Sequence, residues 1–214
     1  MENQQANDQK GRSADFLLTE YQRLMDSFWR TEELGERRVN FFITLTAAVI
    51  AGLTTISVRG ISVSDAKVDS IFFYALGALL LIGVVTLVRM VRRNLESHKY
   101  LRATGRIRKY FTERDKLIEL HLYFGPRDDK PVRKKEWKEI FFLGTGGLVE
   151  TVALVNGLIV AALCALFTVR SSRSDIMLLG FVGFIAAWIV QFIYVKARYY
   201  MGRPKEDEIK FRGD

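Results

Sequence analysis

Apolar and charged residues are segregated into blocks along this chain of 214 residues. Four stretches, 39–58, 70–90, 148–169 and 176–195, carry almost no charge. An α-helix rises about 1.5 Å per residue, so ~20 residues are enough to cross the ~30 Å hydrocarbon core of a bilayer. This pattern predicts an all-α integral membrane protein with four transmembrane helices in two hairpins, although the average composition alone would suit a soluble domain.

The distribution of Lys and Arg predicts the orientation of these spans. Of the 32 basic residues, 28 lie in the N-terminal segment, in a central block (89–138) and in the C-terminal tail, and each short loop holds only two. Because cytoplasmic segments carry the excess of Lys and Arg, both termini and the central block are expected in the cytoplasm. Basic residues beside the spans are also expected to bind anionic lipid headgroups at the cytoplasmic face.

Five segments follow from these blocks. Residues 1–38 are predicted to form a tail and an amphipathic cytoplasmic helix, and 39–90 the first transmembrane hairpin. Residues 91–139 are predicted to be a basic cytoplasmic helical projection. Residues 140–196 should hold an interfacial helix and the second hairpin, followed by a charged cytoplasmic tail at 197–214.

The N-terminal segment changes character at Ala14. Residues before it are polar and predict a frayed tail. After it, Leu17, Tyr21, Leu24 and Phe28 recur at spacings of four and three, the period of one helix face. Nothing interrupts the pattern before the first span, so one helix is expected to continue into the membrane.

The central block contains the strongest candidate for a binding site. A helix is predicted from residue 89 to 123, ending before Gly125 and Pro126. Lys99, Arg102, Arg106 and Lys109 align on one face of it, with Arg108 adjacent. Such a row could bind a cytosolic anion, either a nucleic-acid-derived ligand or an acidic partner protein.

Lipid contacts and membrane topology are the alternative explanation of this basic charge. They account for the residues nearest the spans, including Arg89, Arg92 and Arg93, more readily than for the row farther along the helix, because the surface field decays within a Debye length.

Polar and small residues inside the spans are candidates for a pore or for helix packing. Glu150, Asn156 and Gln191 could line an ion pathway in an oligomer or form interhelical hydrogen bonds. A second set of small residues recurs every four positions along the third span and predicts close helix packing, within one chain or between subunits. Its members are Ala153, Gly157, Ala161 and Ala165.

Catalytic chemistry has no support in the sequence. His98 and His121 lie far apart without further metal ligands, and Cys164 falls within a span, where an inert thiol is expected. No glycine-rich phosphate cradle accompanies the basic row. We therefore expect neither an enzyme nor a bound metal or cofactor.

Residues 15–53, DFLLTEYQRLMDSFWRTEELGERRVNFFITLTAAVIAGL, resemble small bacterial membrane proteins of anti-phage defence operons. Their helix-plus-spans layout is similar to that of SLATT-type effectors, and the four-span plan is similar to the membrane subunits of the Kiwa and Hailong systems. The second hairpin and the large basic insert depart from the two-span plan.

The resemblance implies a homo-oligomeric gated pore or membrane-depolarising effector in the bacterial inner membrane. A cytoplasmic nucleic-acid-derived signal or partner protein would control it. Two alternatives remain: a non-conducting membrane anchor or sensor that recruits a cytosolic partner, and a transporter of a lipid or small molecule.

Overall fold

A computed structural model of the chain describes residues 2–58, 65–122, 147–167 and 173–202. Almost all of those residues are helical and none of them lies in a strand, so the predicted all-α class is confirmed. The helices are α1 (Glu2–Val58), α2 (Asp65–Arg114), α3 (Lys116–Glu119), α4 (Leu148–Phe167) and α5 (Arg173–Met201).

Four of these helices are long and apolar enough to cross a membrane. The apolar windows lie within Gly11–Ile56, Ser70–Arg114, Leu148–Leu166 and Met177–Met201, and their mean hydropathies range from 1.9 to 2.6. The number of candidate spans and their positions therefore agree with the four apolar stretches of the sequence. The length and hydropathy of these four helices suggest that the chain is a membrane protein.

α1 is a single helix of 57 residues. It starts at Glu2, so the polar residues before Ala14 belong to the same helix. It passes through Arg37 and Arg38 without a break before it ends at Val58. The segment contains no proline, and helix-forming Ala, Leu, Glu and Arg outweigh its few glycines, each of which costs about 1 kcal/mol relative to alanine.

α2 ends earlier than the sequence pattern predicts. The helix stops at Arg114, not near residue 123, because Asp115 adopts an extended conformation (φ −138°, ψ 103°). The Asp115 carboxylate accepts a hydrogen bond from the Leu117 backbone N–H and so caps α3. The predicted basic projection beyond residue 122 and the predicted interfacial helix, up to residue 146, lie outside the described residues.

The chain divides into two compact units, which share α1 and α2. Unit 2 comprises Leu34–Arg92 and Trp137–Met201. Its core is apolar, and the fully buried side chains in it include Phe42, Leu79 and Val152. Lipid tails are as apolar as leucine, so within a bilayer these side chains would stabilise the unit through close van der Waals packing. α4 and α5 pack against each other in this unit.

Unit 1 comprises Met1–Glu33, Arg93–Glu136 and Gly202–Asp214. Its parts of α1 and α2 are antiparallel, because Tyr21 contacts Arg108 whereas Glu32 contacts Arg93 and Ser97. The described buried side chains of this unit are mostly polar. They are Arg93, Ser97, Thr104, Ile107 and Thr112.

Candidate functional site

The basic row lies on the side of α2 that faces away from α1 in unit 1. Lys99 and Arg106 are exposed, and Arg102 and Lys109 are half-buried. The residues of α2 that contact α1 or are buried recur on the other side of the helix, at Ser97, Thr104 and Thr112. The four aligned cations therefore remain together on one face, the arrangement that attraction of an anion requires.

Arg108 does not belong to that face. Its Nη2 donates a hydrogen bond to the Tyr21 hydroxyl at 2.9 Å, and its guanidinium carbon lies 5.7 Å from the centre of the Tyr21 ring. A hydrogen bond and a cation–π contact to one side chain fix both helices at this level. The structure thus gives Arg108 a role in pairing α1 with α2, while the other four residues form the row.

Two side-chain pairs within α2 form near the C-terminal end of the row. Lys109 Nζ lies 3.8 Å from Glu113 Oε1, one helical turn farther along. The Arg114 guanidinium covers the Tyr110 ring at 4.1 Å from the ring centre. Exposed pairs of this kind contribute at most about 1 kcal/mol each, so they orient the side chains only weakly.

A second polar cluster in unit 1 centres on Arg93, whose side chain is 9% exposed. Its Nη1 donates to the main-chain carbonyl of Glu32 at 3.2 Å, and its Nη2 lies 3.5 Å from Glu32 Oε2. Both Nε and Nη2 also donate to Asn94 Oδ1. Ser97 donates to the other Glu32 carboxylate oxygen at 2.8 Å.

This cluster corrects the lipid interpretation of Arg93. Burial of a guanidinium is costly unless its donors are occupied, and here the protein occupies them. The sequence does contain a signal for this contact. Glu32 lies four residues after Phe28, at the edge of the apolar stripe of the N-terminal segment, and an acidic residue at that place indicates a polar partner.

Asn156 and Gln191 are brought together in unit 2. Asn156 is fully buried, and its Nδ2 donates to Gln191 Oε1 at 3.0 Å. The Gln191 Nε2 donates to the main-chain carbonyls of Ala153 and Ala187 at 3.4 and 3.2 Å. The two amides therefore join α4 to α5. Glu150, predicted with them as a pore or interhelical residue, is exposed in the first turn of α4.

The other amide atom of Asn156 lies against α2. Its Oδ1 is buried without a hydrogen-bond partner among the described residues, and it occupies the place that a Cβ on Gly83 would take. The oxygen therefore faces the Gly83 Cα–H, an arrangement typical of weak Cα–H···O contacts between helices. The Phe42 ring of α1 packs at the same point, because its Cζ would lie 2.8 Å from a Cβ on Gly83.

The predicted set of small residues that recurs every four positions lies, over part of its length, on the side of α4 that packs against α5. A Cβ on Gly157 would lie 3.0 Å from the Phe184 ring, and one on Gly180 would lie 3.4 Å from the Ala161 carbonyl. Ala153 is buried and accepts from Gln191, whereas Ala165 is half-buried. Small side chains here allow the two backbones to approach closely.

No group of three or more His, Cys, Asp or Glu residues in the described ranges is arranged to hold a metal ion. Comparison of the chain with known proteins gives no match to a family model, to a curated protein or to a solved structure. The fold and the sites therefore define a class: an all-helical protein with four helices able to cross a membrane.

Proposed function

We propose that this protein is a bacterial inner-membrane effector whose copies assemble into a gated pore or otherwise depolarise the membrane. Both termini and the central basic block would lie in the cytoplasm. There an anionic signal or partner would bind Lys99, Arg102, Arg106 and Lys109 and control the assembly. The resemblance of residues 15–53 to anti-phage defence effectors supports a role in defence.

The observation that carries the proposal is how little of the apolar helices one chain buries. Only 11% of the apolar window in Met177–Met201 and 22% of that in Gly11–Ile56 are buried within the chain. Large apolar side chains such as Phe181, Leu81 and Phe41 are more than 60% exposed. Lipid, further copies of the chain, or both must cover this surface.

Glycine packing supports assembly of copies over lipid alone. Gly83, Gly157 and Gly183 each have a neighbouring side-chain atom within 3.0 Å of the position of a Cβ, whereas Gly52 and Gly77 have no atom within 4 Å of that position. Gly52 is exposed and lies four residues from Ala48, which is also exposed. Helices in lipid associate through such pairs of small residues because the backbones can approach closely.

Reconstitution of the purified chain into liposomes tests conduction. Proteoliposomes of anionic bacterial lipid with an entrapped dye are expected to release it when the activating signal is present, and empty liposomes are not. An effector that forms stable oligomers but shows no dye release and no membrane current under any ligand condition would exclude the pore.

A charge-reversal variant tests the row. Arg102→Glu, Arg106→Glu and Lys109→Glu together should abolish the response without preventing membrane insertion. The matched control reverses three exposed arginines of α1, Arg12, Arg23 and Arg30, which changes the net charge by the same amount. Equal loss in both variants would assign the effect to overall charge, and a retained response in the first would exclude the row.

One observation favours the alternative function, a non-conducting membrane anchor or sensor. Asn156 and Gln191, the amide side chains of α4 and α5, bond to each other, and Gln191 also donates to two main-chain carbonyls. Polar groups that line a conducting lumen must instead meet water and ions. If the oligomers do not conduct but retain a cytosolic protein through the row, the anchor is the correct function.

A further inference from the structure

One exposed flank of α1 in unit 1 carries a strip of acidic, polar and apolar residues. Six residues recur on it at spacings of three and four, and all six are exposed. Three are acidic, none is basic, and Trp29 is 64% exposed. We call the following residues the outer strip: Asp15, Leu18, Gln22, Asp26, Trp29 and Glu33.

The outer strip and the basic row are complementary. The row presents four cations along about three turns of α2 (Lys99, Arg102, Arg106 and Lys109), and the strip presents carboxylates with an aromatic ring between them. Within one chain they do not face each other. The row lies on the side of α2 opposite its contacts with α1, and the strip lies on a flank of α1, about 100° around the helix from Tyr21. Only a second chain can bring the two surfaces together.

We infer that the outer strip of one copy binds the basic row of a neighbouring copy. This inference rests on the proposed homo-oligomer and names the partner of the row. A contact between two different surfaces of identical chains is heterologous, and repetition of such a contact closes into a ring when the rotation allows it. A closed ring is also the symmetry that a central pore requires.

The register within one chain determines which residues would meet. Glu32 is level with Arg93 and Ser97, and the helices are antiparallel, so Asp26 is level with residues 99–103. In a ring around an axis perpendicular to the membrane, equivalent residues of all copies lie at the same height. Asp26 would therefore meet Lys99 and Arg102 of the neighbour.

The same register matches further pairs. Trp29 is level with residues 96–100, where Lys99 can place its ammonium over the indole ring. Gln22 is level with residues 103–107, which include Arg106. Carboxylate, aromatic ring and amide thus each meet a cation, which favours this pairing over a symmetric contact between two strips, where acids would repel one another.

Disulfide cross-linking between differently tagged full-length copies in membranes tests the contact. The native thiol is first removed by Cys164→Ala. One chain then carries Asp26→Cys and the other Arg102→Cys, and oxidation should give a dimer that contains both tags. The matched control pairs Asp26→Cys with Thr104→Cys, because Thr104 lies near the same level but is only 1% exposed. It should give no mixed dimer.

A charge exchange gives a second measurement. Asp26→Arg should shift detergent-solubilised protein towards smaller species, and adding Arg102→Asp to the same chain should restore the larger one. Oligomers that persist without the mixed cross-link would overturn this interface and leave the proposed effector intact. A monomeric protein would overturn both. A cross-link from Asp26→Cys only to a different cytosolic protein would assign the strip to that protein and overturn the inference.

Discussion

The amide oxygen of Asn156 occupies the position that a side chain would take at Gly83. The amide nitrogen of the same residue donates to Gln191, so a single buried side chain contacts α2 and α5 from α4. Phe42 of α1 reaches the same position. All four long helices therefore meet around one residue pair in unit 2, and packing at this point should decide its stability.

Gly83→Ala is expected to destabilise unit 2. The added methyl would overlap the Asn156 oxygen and approach the Phe42 ring, and forcing extra atoms into a packed core costs about 1–3 kcal/mol. Thermal unfolding in detergent measures the loss. The matched control is Gly77→Ala on the same helix, where no atom lies within 4 Å of the new methyl. An equal decrease in melting temperature for both variants would contradict this account.

The Asn156–Gln191 pair should show a measurable interaction energy. A double-mutant cycle with Asn156→Ala and Gln191→Ala removes each amide alone and both together. Interhelical hydrogen bonds within membranes have interaction energies of about 0.6 kcal/mol on average and ~1.7 kcal/mol at most. We expect the upper part of this range, because Asn156 is fully buried. Strictly additive losses of stability would show that the two amides do not interact.

Gly52→Leu should weaken assembly without unfolding the chain. The position is open within one chain, so a larger side chain meets nothing there, but it would separate two α1 helices that approach through Ala48 and Gly52. The oligomer mass in detergent is expected to decrease while the melting temperature of the monomer is retained. Gly77→Leu, at another open glycine, is the comparison, and the same loss of mass in both would exclude a specific α1 contact.

The helices of this protein were largely predictable because their signals are local. Charge-free stretches of bilayer length identify the candidate spans, and an alternating spacing identifies the face of α1 that carries Leu17, Tyr21 and Leu24. The early end of α2 was missed, although Asp115 is a common N-cap residue type, because continued apolar positions at Leu117 and Ile118 kept the helical period.

The partners of polar residues were less predictable. Glu150, Asn156 and Gln191 look equivalent in the sequence, yet only the last two meet, because contact depends on the rotation of α4 against α5. Arg93 and Arg108 look like two more cations of a basic block. Antiparallel pairing with α1 brings Glu32 and Tyr21 to them from more than 60 residues away.

Arg93→Met should loosen the pairing of α1 and α2 in unit 1. The change leaves the Glu32 carboxylate and carbonyl without the guanidinium, and breaking a buried ion pair costs about 3–5 kcal/mol. Glu32 is 28% exposed and retains its bond from Ser97, so we expect a smaller loss of about 2 kcal/mol. The described part of unit 1 has few buried apolar side chains to offset this loss.

Amide hydrogen exchange in residues 14–33 and 94–112 should accelerate in the Arg93→Met variant. Arg92→Met, at an exposed neighbouring position, should leave exchange unchanged. Glu32→Gln should have an intermediate effect, because its main-chain carbonyl can still accept from Arg93, and equal exchange in all three variants would show that the pair contributes nothing to unit 1.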